Sequence, residues 1–250
     1  MQITNQKIVV TMDKRSPINI RLTERDTSTT VTQWVYQTLR QAVMNGQILP
    51  GRALTIRGLA EILGVSPMPV REALRQLAAE NALEILGNRR VMVPRMTAMK
   101  FSELCEARIA LESHAAARAL PYIDADTLAQ LRQLDQDIDV AFEAGDTEQI
   151  GSLNQAFHRM IYTANPHQIT LPLIESLWLQ LGPFMRLANS LLDENYLVDH
   201  HREMTAAIEK QDPLALQMAL AADIRDGVAF AGTPELLHSF IEQSASSPAP

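Results

Sequence analysis

The sequence predicts a mainly α-helical protein with two parts: a small N-terminal head that carries a short β-hairpin, and a larger antiparallel all-α bundle. Residues 31–94 hold three runs of helical periodicity followed by two short β-prone runs. From Thr97 onward, apolar residues recur at helical spacing, and glycine and proline fall mostly at the breaks between runs. The first 96 residues hold 13 Lys and Arg against 7 Asp and Glu, whereas the rest hold 9 against 22.

The head begins with a helix that is predicted by apolar residues at four-residue intervals, namely Val31, Val35, Leu39 and Val43. A second helix is expected to start after the N-cap residue Thr55 and to end at Gly64. A third helix follows Ser66. Its first turn holds Pro67 and Pro69, at positions where a missing backbone N–H costs little.

Two β-prone runs complete the head. They are Ala82–Leu86 and Val91–Val93, and residues 87–88 supply the turn between them. The order of helix, tight turn, helix and β-hairpin predicts a winged helix-turn-helix, a module that places its second helix in the DNA major groove. An ordinary helical hairpin with a β-hairpin is the alternative, and the basic charge of the head favours DNA.

The predicted DNA contacts are arginines and the residues that open the recognition helix: Arg57, Ser66, Pro67, Met68, Arg71, Arg75, Arg89 and Arg90. Arg71 and Arg75 lie one helical turn apart and therefore share a face. The planar fork of arginine pairs with a guanine edge or with a phosphate. A single recognition helix reads few bases, so we expect a homodimer on a short palindromic operator in double-stranded DNA.

The segments LPGRAL, LAEILGVS and PVREALRQLAAENAL, together with the wing, resemble the GntR family of bacterial transcription regulators. The resemblance implies that Arg57 and Arg71 contact phosphates or guanine edges. Two positions depart from the family pattern: Pro67 stands where an arginine is usual, and Arg90 stands where the wing tip usually has a glycine. The operator sequence therefore cannot be carried over from relatives.

The remaining chain is expected to form an effector-binding and dimerisation bundle. Its predicted helices cover residues 98–120, 125–144, 147–164, 168–181, 184–192, 195–210 and 213–230. The predicted domains are a flexible arm at 1–28, the winged helix-turn-helix at 29–96, the bundle at 97–232 and a disordered tail at 233–250.

Composition predicts a cytoplasmic protein that does not bind membranes. Cys105 is the only cysteine, which excludes an internal disulfide and suits a reducing compartment. No run of 18 or more apolar residues occurs, and the N-terminus lacks the apolar core of a signal peptide. An apolar content of 46% is sufficient for packed cores in both parts.

The bundle segments ELCEARIALESHAAARAL, NQAFHRMIYTANP and HHREMTAAIEKQDPLALQMAL resemble the FCD effector-binding domain of FadR-like GntR regulators. The resemblance implies a divalent metal, held by one carboxylate and three histidines, with a small organic acid as a further ligand. At the matching positions this chain has Asn154, His158, His201 and Asp223. Two imidazoles and one carboxylate suit Zn, Ni, Fe or Mn. A core or surface role for each residue is the alternative.

Arg108 lies in the motif EARIALE on the first bundle helix, and two interpretations stay open for it. A buried arginine must be paired, either with a neighbouring glutamate or with the carboxylate of an acidic effector. The resemblance implies the effector. Arg186, on a later helix, is a second candidate for the same role.

Together these features predict a transcription regulator, with repression as the expected mode, whose DNA affinity responds to a small carboxylic acid. One alternative is a regulator with a vestigial pocket, because Asn154 and Asp223 depart from the family pattern. The other is a metal-dependent enzyme joined to a DNA-binding head. The sequence contains no glycine-rich phosphate loop, nucleophile elbow or zinc-hydrolase motif, so we expect no enzyme.

Overall fold

The computed structural model describes residues 20–22, 25–26, 28–48, 53–86, 90–94, 96–189 and 200–229, without the side chains at 147–148, 186–189 and 228–229. The head contains helices α1 (Val31–Met44), α2 (Ile56–Leu63) and α3 (Pro67–Ala79) and strands β1 (Ala53–Thr55), β2 (Glu84–Leu86) and β3 (Arg90–Met92). The bundle contains α4 (Ala98–Ala119), α5 (Ala125–Glu143), α6 (Thr147–Thr163), α7 (Leu171–Asn189), α8 (His201–Glu209) and α9 (Pro213–Ala229).

The head has the predicted winged helix-turn-helix and one strand more. The three strands form an antiparallel sheet with β3 in the centre, where Val91 pairs with Leu54 of β1 and Ile85 of β2. A strand of three residues has too little periodicity to be seen in the sequence, which is why β1 was not predicted. Ala82 and Leu83 were predicted to extend β2, but they precede it as buried residues of the turn after α3.

Residues at the helix ends behave largely as predicted. Thr55 caps α2 by accepting a hydrogen bond from Gly58 N at 3.0 Å, and Gly64 ends that helix with a left-handed φ of 64°. Ser66 occupies the N-cap position of α3 without making a side-chain cap hydrogen bond. The reason is that Pro69 stands at the third helical position, and proline has no backbone N–H to donate.

The bundle is built around α4, which packs against α6, α7 and α9. Helices α5 and α6 pack on each other, and α8 packs between α5 and α9. One continuous hydrophobic cluster runs from Ile20, which precedes α1, to Ile224 of α9. Ile20 lies in the predicted flexible arm, yet only 5% of its surface is exposed. Most of that arm and the tail at 233–250 lie outside the described residues.

Helix α7 corrects the prediction of two helices at 168–181 and 184–192, because it continues through Gly182 and Pro183. A proline inside a helix removes one hydrogen bond. The burial of Leu179, Leu181 and Phe184 around this point offsets that cost. At Gly182 an added Cβ would overlap the carbonyl oxygen of Met44, so α7 passes α1 backbone against backbone.

Helix α8 corrects a second boundary. The sequence predicted a helix over 195–210, but His200 is a non-helical N-cap and α8 starts at His201. The backbone N–H of His200 donates to Asp223 Oδ1 at 3.1 Å, and this bond fixes the chain before the helix begins. Residues 195–199 lie outside the described residues. None of the described helices is long and apolar enough to span a bilayer.

Candidate functional site

The predicted DNA surface is exposed wherever the structure describes it. Pro69, Val70, Ala73, Leu74 and Leu77 turn one face of α3 into the core. The opposite face presents Met68, Arg71 and Arg75 to solvent, with 60% of Met68 exposed. Arg57, Ser66, Pro67 and Arg90 are exposed as well, and Arg89 lies outside the described residues. Arg75 Nη1 and Glu72 Oε1 form an exposed ion pair at 3.1 Å.

The bundle brings three of the four predicted metal ligands together. His158 on α6, His201 on α8 and Asp223 on α9 are 2%, 0% and 7% exposed. His158 Nε2 lies 3.1 Å from Asp223 Oδ2, and His201 Nε2 lies 3.8 Å from Asp223 Oδ1. One ligand atom from each residue lies within 4.8 Å of the others. Three separate helices thus aim two imidazoles and one carboxylate at one point.

Each histidine is oriented by a second group at its other ring nitrogen. His158 Nδ1 lies 3.2 Å from the Tyr162 hydroxyl, which gives its proton to Glu112 at 2.8 Å and therefore accepts from His158. His201 Nδ1 lies 3.2 Å from the Asp135 carboxylate, to which it donates. Both Nδ1 atoms therefore carry a proton. In the neutral rings the lone pair is then on Nε2, which faces Asp223 in both cases.

The electrostatics of this site favour a cation at its centre. Burial raises the pKa of Asp223, but when the His158 and His201 rings carry a proton at Nε2, the hydrogen bond from His158, the two ring charges and the His200 N–H lower it to about 2. Asp223 is therefore ionised. Two lone pairs and a carboxylate that face one another are stable only with a proton or a metal ion between them.

Arg108 is paired with a glutamate, the structural interpretation that the sequence left open. Its Nε donates to Glu112 Oε1 at 2.7 Å, and Glu112 is 0% exposed. Burial lowers the pKa of Arg108, but the charge and hydrogen bond of Glu112 raise it above its ordinary value. Trp178 Nε1 also donates to Glu112, at 2.9 Å, and Tyr162 donates to its other oxygen. The Glu112 carboxylate thus accepts three hydrogen bonds.

The two remaining predicted residues of the bundle are Asn154 and Arg186. Asn154 lies one turn before His158 on α6 and is half-buried. Arg186 belongs to α7, and its side chain lies outside the described residues. Sequence reasoning missed Glu112, Tyr162 and Asp135 as supports of the site. Tyr162 follows His158 by one helical turn, a spacing that could have identified it, and Glu112 follows Arg108 by one turn, which indicated their pairing but not the link of Glu112 to His158. Asp135 comes from a distant segment and leaves no signal.

Comparisons with known proteins identify both parts of the chain. Residues 31–93 match the profile of the bacterial regulatory proteins of the gntR family, and residues 103–226 match that of the FCD domain. The HTH-type transcriptional regulator McbR of Escherichia coli (strain K12) is 31% identical over 202 residues, which cover 80% of this chain and 91% of McbR. This chain belongs to the gntR family of bacterial regulatory proteins. Its FCD domain confirms the predicted FadR-like subfamily.

Other relatives agree with this membership. The solved structure of E. coli McbR/YncC superposes with a TM-score of 0.77 at 30% identity, over 81% of this chain and 97% of that one. The gluconate operon transcriptional repressor of Bacillus subtilis (strain 168) is 27% identical over 199 residues, 75% of this chain and 79% of the repressor. This gntR-family protein is therefore a transcription regulator and not an enzyme.

Proposed function

We propose that this gntR-family regulator binds a short palindromic operator as a homodimer and that a buried metal and a small carboxylic acid control its DNA affinity. Repression is the proposed mode, in line with the repressor names of several relatives. The observation that carries the proposal is that His158 Nε2 and His201 Nε2 lie 3.1 and 3.8 Å from the oxygens of one buried carboxylate, that of Asp223. A regulator that lacked a ligand would have little reason to keep such an arrangement buried.

The DNA-binding part of the proposal rests on the exposed face of α3. Arg71 is exposed on it, and the Ser66 hydroxyl is not used to cap α3, which leaves it available to a phosphate. We expect Arg71→Ala to weaken operator binding by about 1–3 kcal/mol if the side chain reads a guanine edge. Gel-shift titration measures this change, with Arg132→Ala on the bundle as a charge-matched control. Unchanged affinity would remove Arg71 from the interface.

The wing is expected to act through charge. Arg90 is exposed at the start of β3, and Arg89 precedes it in the sequence. Replacing both with alanine should reduce the dependence of log Kd on log salt, since each phosphate contact adds about 0.9 to that slope. Affinity measured between low and moderate salt gives the slope. A slope equal to that of the wild-type protein would place the wing away from the phosphates.

The proposed metal site consists of His158, His201 and Asp223, with Asn154 as a fourth, weaker candidate. The donor set fits Zn, Ni, Fe or Mn, and the Tyr162 and Asp135 contacts hold the rings as outer partners commonly do at metal sites. When bound, the metal would supply a fixed positive charge and open coordination positions. Tyr162 and Asp135 would hold the two histidine rings around it.

Elemental analysis tests the metal. Wild-type protein grown with zinc, nickel, iron and manganese should retain one of them, and His158→Ala with His201→Ala should retain none. Removing the metal with a chelator should lower the melting temperature, because a ligand of the folded state stabilises it. His114→Ala, an exposed histidine on α4, is the control. If the wild-type protein contains no metal in any preparation, the proposed metal site is wrong, and these residues form only a buried polar cluster.

A small carboxylic acid is the proposed effector, and the metal rather than Arg108 is its proposed anchor. Glu112 already neutralises Arg108, so this arginine does not by itself attract an anion. A divalent metal with Asp223 as its one charged ligand keeps a net charge of about +1, which favours an anion at the open positions. The Arg108 side chain is 14% exposed and can still donate from its terminal nitrogens.

A panel of sugar acids, hydroxy acids and dicarboxylates tests the effector. Each acid is added to the metal-loaded and the chelator-treated protein, and melting temperature and DNA affinity are measured. An acid that acts only on the metal-loaded protein supports the proposal. If no acid changes either quantity, the pocket is vestigial and the protein regulates without this ligand. That second candidate is favoured by Asn154, because the resemblance to the FCD domain implies an aspartate at this position.

A further inference from the structure

Helix α7 contacts the polar network of the candidate metal site. Trp178 on α7 donates its indole N–H to Glu112 at 2.9 Å. Glu112 accepts a second bond from Tyr162 at 2.8 Å, and the Tyr162 hydroxyl lies 3.2 Å from His158 Nδ1. These groups are buried, so their hydrogen bonds are costly to leave unmade. When the His158 ring moves, the side chains of Tyr162, Glu112 and Trp178 must therefore move with it to keep these hydrogen bonds.

The same helix contacts the DNA-binding head less than one turn away. Glu175 accepts a hydrogen bond from Arg40 Nη2 at 3.2 Å, and it also pairs with Arg159 of α6. The Ser176 hydroxyl donates to the backbone carbonyl oxygen of Glu80 at 3.3 Å. Only 18% of Arg40 and 15% of Glu175 are exposed, so this ion pair is shielded from solvent. We call Glu175 and Ser176 the α7 clamp.

Glu80 is the C-cap residue of the recognition helix α3. Its carboxylate accepts from the Tyr36 hydroxyl and from Arg40 Nε, the latter at 3.2 Å, so α1 holds its side chain while α7 holds its backbone. Burial and the neighbouring Glu80 raise the pKa of Tyr36 to about 12, and Tyr36 therefore stays a donor. A displacement of Glu80 is transmitted along α3, because a packed helix moves as a unit.

A second contact prevents α7 from moving past α1 independently. Gly182 lies against Met44, the last residue of α1, and a Cβ on Gly182 would lie 2.8 Å from the Met44 carbonyl carbon. Backbone atoms in contact cannot yield by changing rotamer, as side chains do. Together with the α7 clamp, this contact makes α7 a rigid connection between the buried network and the head.

We infer that α7 couples the His158–His201–Asp223 site to the recognition helix, with Trp178 as the residue that senses Glu112 and the α7 clamp as the residues that hold Glu80. This inference rests on the proposed metal-responsive function. It differs from a route through the covalent connection before α4, because the polar contacts described above cross between α7 and the head without passing through that connection. Glu175, Ser176 and Trp178 are positioning residues that bind neither DNA nor metal.

The experiment uses the full chain with Zn²⁺ as the probe. The clamp variant is Glu175→Gln with Ser176→Ala. Its control is Glu209→Gln with Ser152→Ala, which removes the same groups from exposed positions on α8 and α6. Three quantities are measured with and without Zn²⁺: zinc affinity by competition with a chromogenic chelator, affinity for a duplex selected from random sequences by the wild-type protein, and amide hydrogen exchange over residues 76–82.

We expect Zn²⁺ to change both DNA affinity and hydrogen exchange at 76–82 by at least about fivefold in the wild-type protein, the lower end of common allosteric couplings. The clamp variant should bind zinc within about twofold of wild type, while both responses fall below about twofold. The control should respond like wild type. Loss of the response with intact zinc binding is a result that damage to the metal site cannot produce.

Two results would overturn the inference. One is a clamp variant that binds zinc and still changes its DNA affinity and its hydrogen exchange at 76–82 when zinc is added. The other is a wild-type protein that binds zinc but changes neither quantity. If the wild-type protein takes up no zinc, the proposed metal site is wrong, and Trp178→Phe then decides the inference. This substitution removes the donor to Glu112, so it should alter exchange at 76–82 with an intact clamp and not in the clamp variant. If Trp178→Phe changes hydrogen exchange at 76–82 equally with the intact clamp and in the clamp variant, or in neither, the coupling is refuted.

Discussion

Replacing Glu112 with glutamine isolates the charge of the buried carboxylate while keeping its shape. Glu112 is fully buried and accepts from Arg108, Tyr162 and Trp178 at 2.7, 2.8 and 2.9 Å. A glutamine oxygen can still accept from Trp178, so the packing of α4 against α7 should survive. Without the charge of Glu112, burial lowers the pKa of Arg108, but arginine is protonated so far above pH 7 that it stays charged in the variant. The variant therefore leaves one buried positive charge without its partner.

The expected cost follows from that unpaired charge. Breaking a buried ion pair by removing one partner typically costs about 3–5 kcal/mol. Arg108 keeps 14% of its side chain exposed, and water can reach part of the guanidinium, so we expect the lower end, about 3 kcal/mol. With a urea m-value of about 2 kcal/mol/M, the unfolding midpoint should fall by roughly 1.5 M.

A second variant separates charge from packing. Glu112→Gln combined with Arg108→Met removes both charges and keeps a long side chain on α4. Because exchanging a whole buried pair for neutral groups is often close to neutral, the double variant should recover about 2 kcal/mol of the free energy of unfolding. Glu106→Gln, an exposed position on the same helix, should change stability by less than about 0.5 kcal/mol.

Urea unfolding followed by circular dichroism and by tryptophan fluorescence measures all three variants, and agreement of the two probes tests two-state behaviour. A Glu112→Gln protein that loses less than about 1 kcal/mol would refute the assignment of an energetically important buried pair. So would a double variant less stable than the single one, because the loss would then come from hydrogen bonding or packing and not from charge.

Three further predictions concern other parts of the fold. Gly182→Ala should cost about 1–3 kcal/mol of unfolding free energy, because the new methyl group overlaps the Met44 backbone, whereas Gly151→Ala, with open space around it, should be neutral or stabilising. Burial raises the pKa of Cys105 to about 11, so its alkylation at pH 8 should be on the order of a hundredfold slower than in urea and should rise with pH up to about 11. Asp124 caps α5, and a backbone hydrogen bond lowers its pKa; the stabilisation is therefore present at neutral pH and lost as pH falls through the folded pKa. Asp124→Ala should lower the melting temperature at pH 7 and much less at pH 2, and an equal effect at both would contradict the charged cap.

The sequence predicted the helices well where local signals determine them. Thr55 and Gly64 mark the ends of α2 through bonds made within one turn, and the structure has those bonds. The break predicted at Gly182 was wrong because the local signal of Gly-Pro is outweighed by burial on all sides, which depends on α1 and α4. Local patterns do not contain information about the helix that lies opposite.

The same distinction explains the candidate site. His158, His201 and Asp223 were found because each matches a motif position, and the structure brings them together. Glu112 was missed as the centre of the network, since its three donors come from three different helices. Ser66 was placed correctly before the start of α3, where Pro69 offers no backbone N–H to its hydroxyl.

The backbone contact between Met44 and Gly182 limits the modularity of this architecture. Heads and bundles of related regulators are natural candidates for exchange in sensor engineering, with one module chosen for its operator and the other for its ligand. In this protein the last turn of α1 requires a glycine on the bundle at position 182. A chimera that combines this head with a bundle bearing any larger residue there would separate the modules at their point of contact. Compatibility at that single position is therefore the first criterion for choosing a partner bundle.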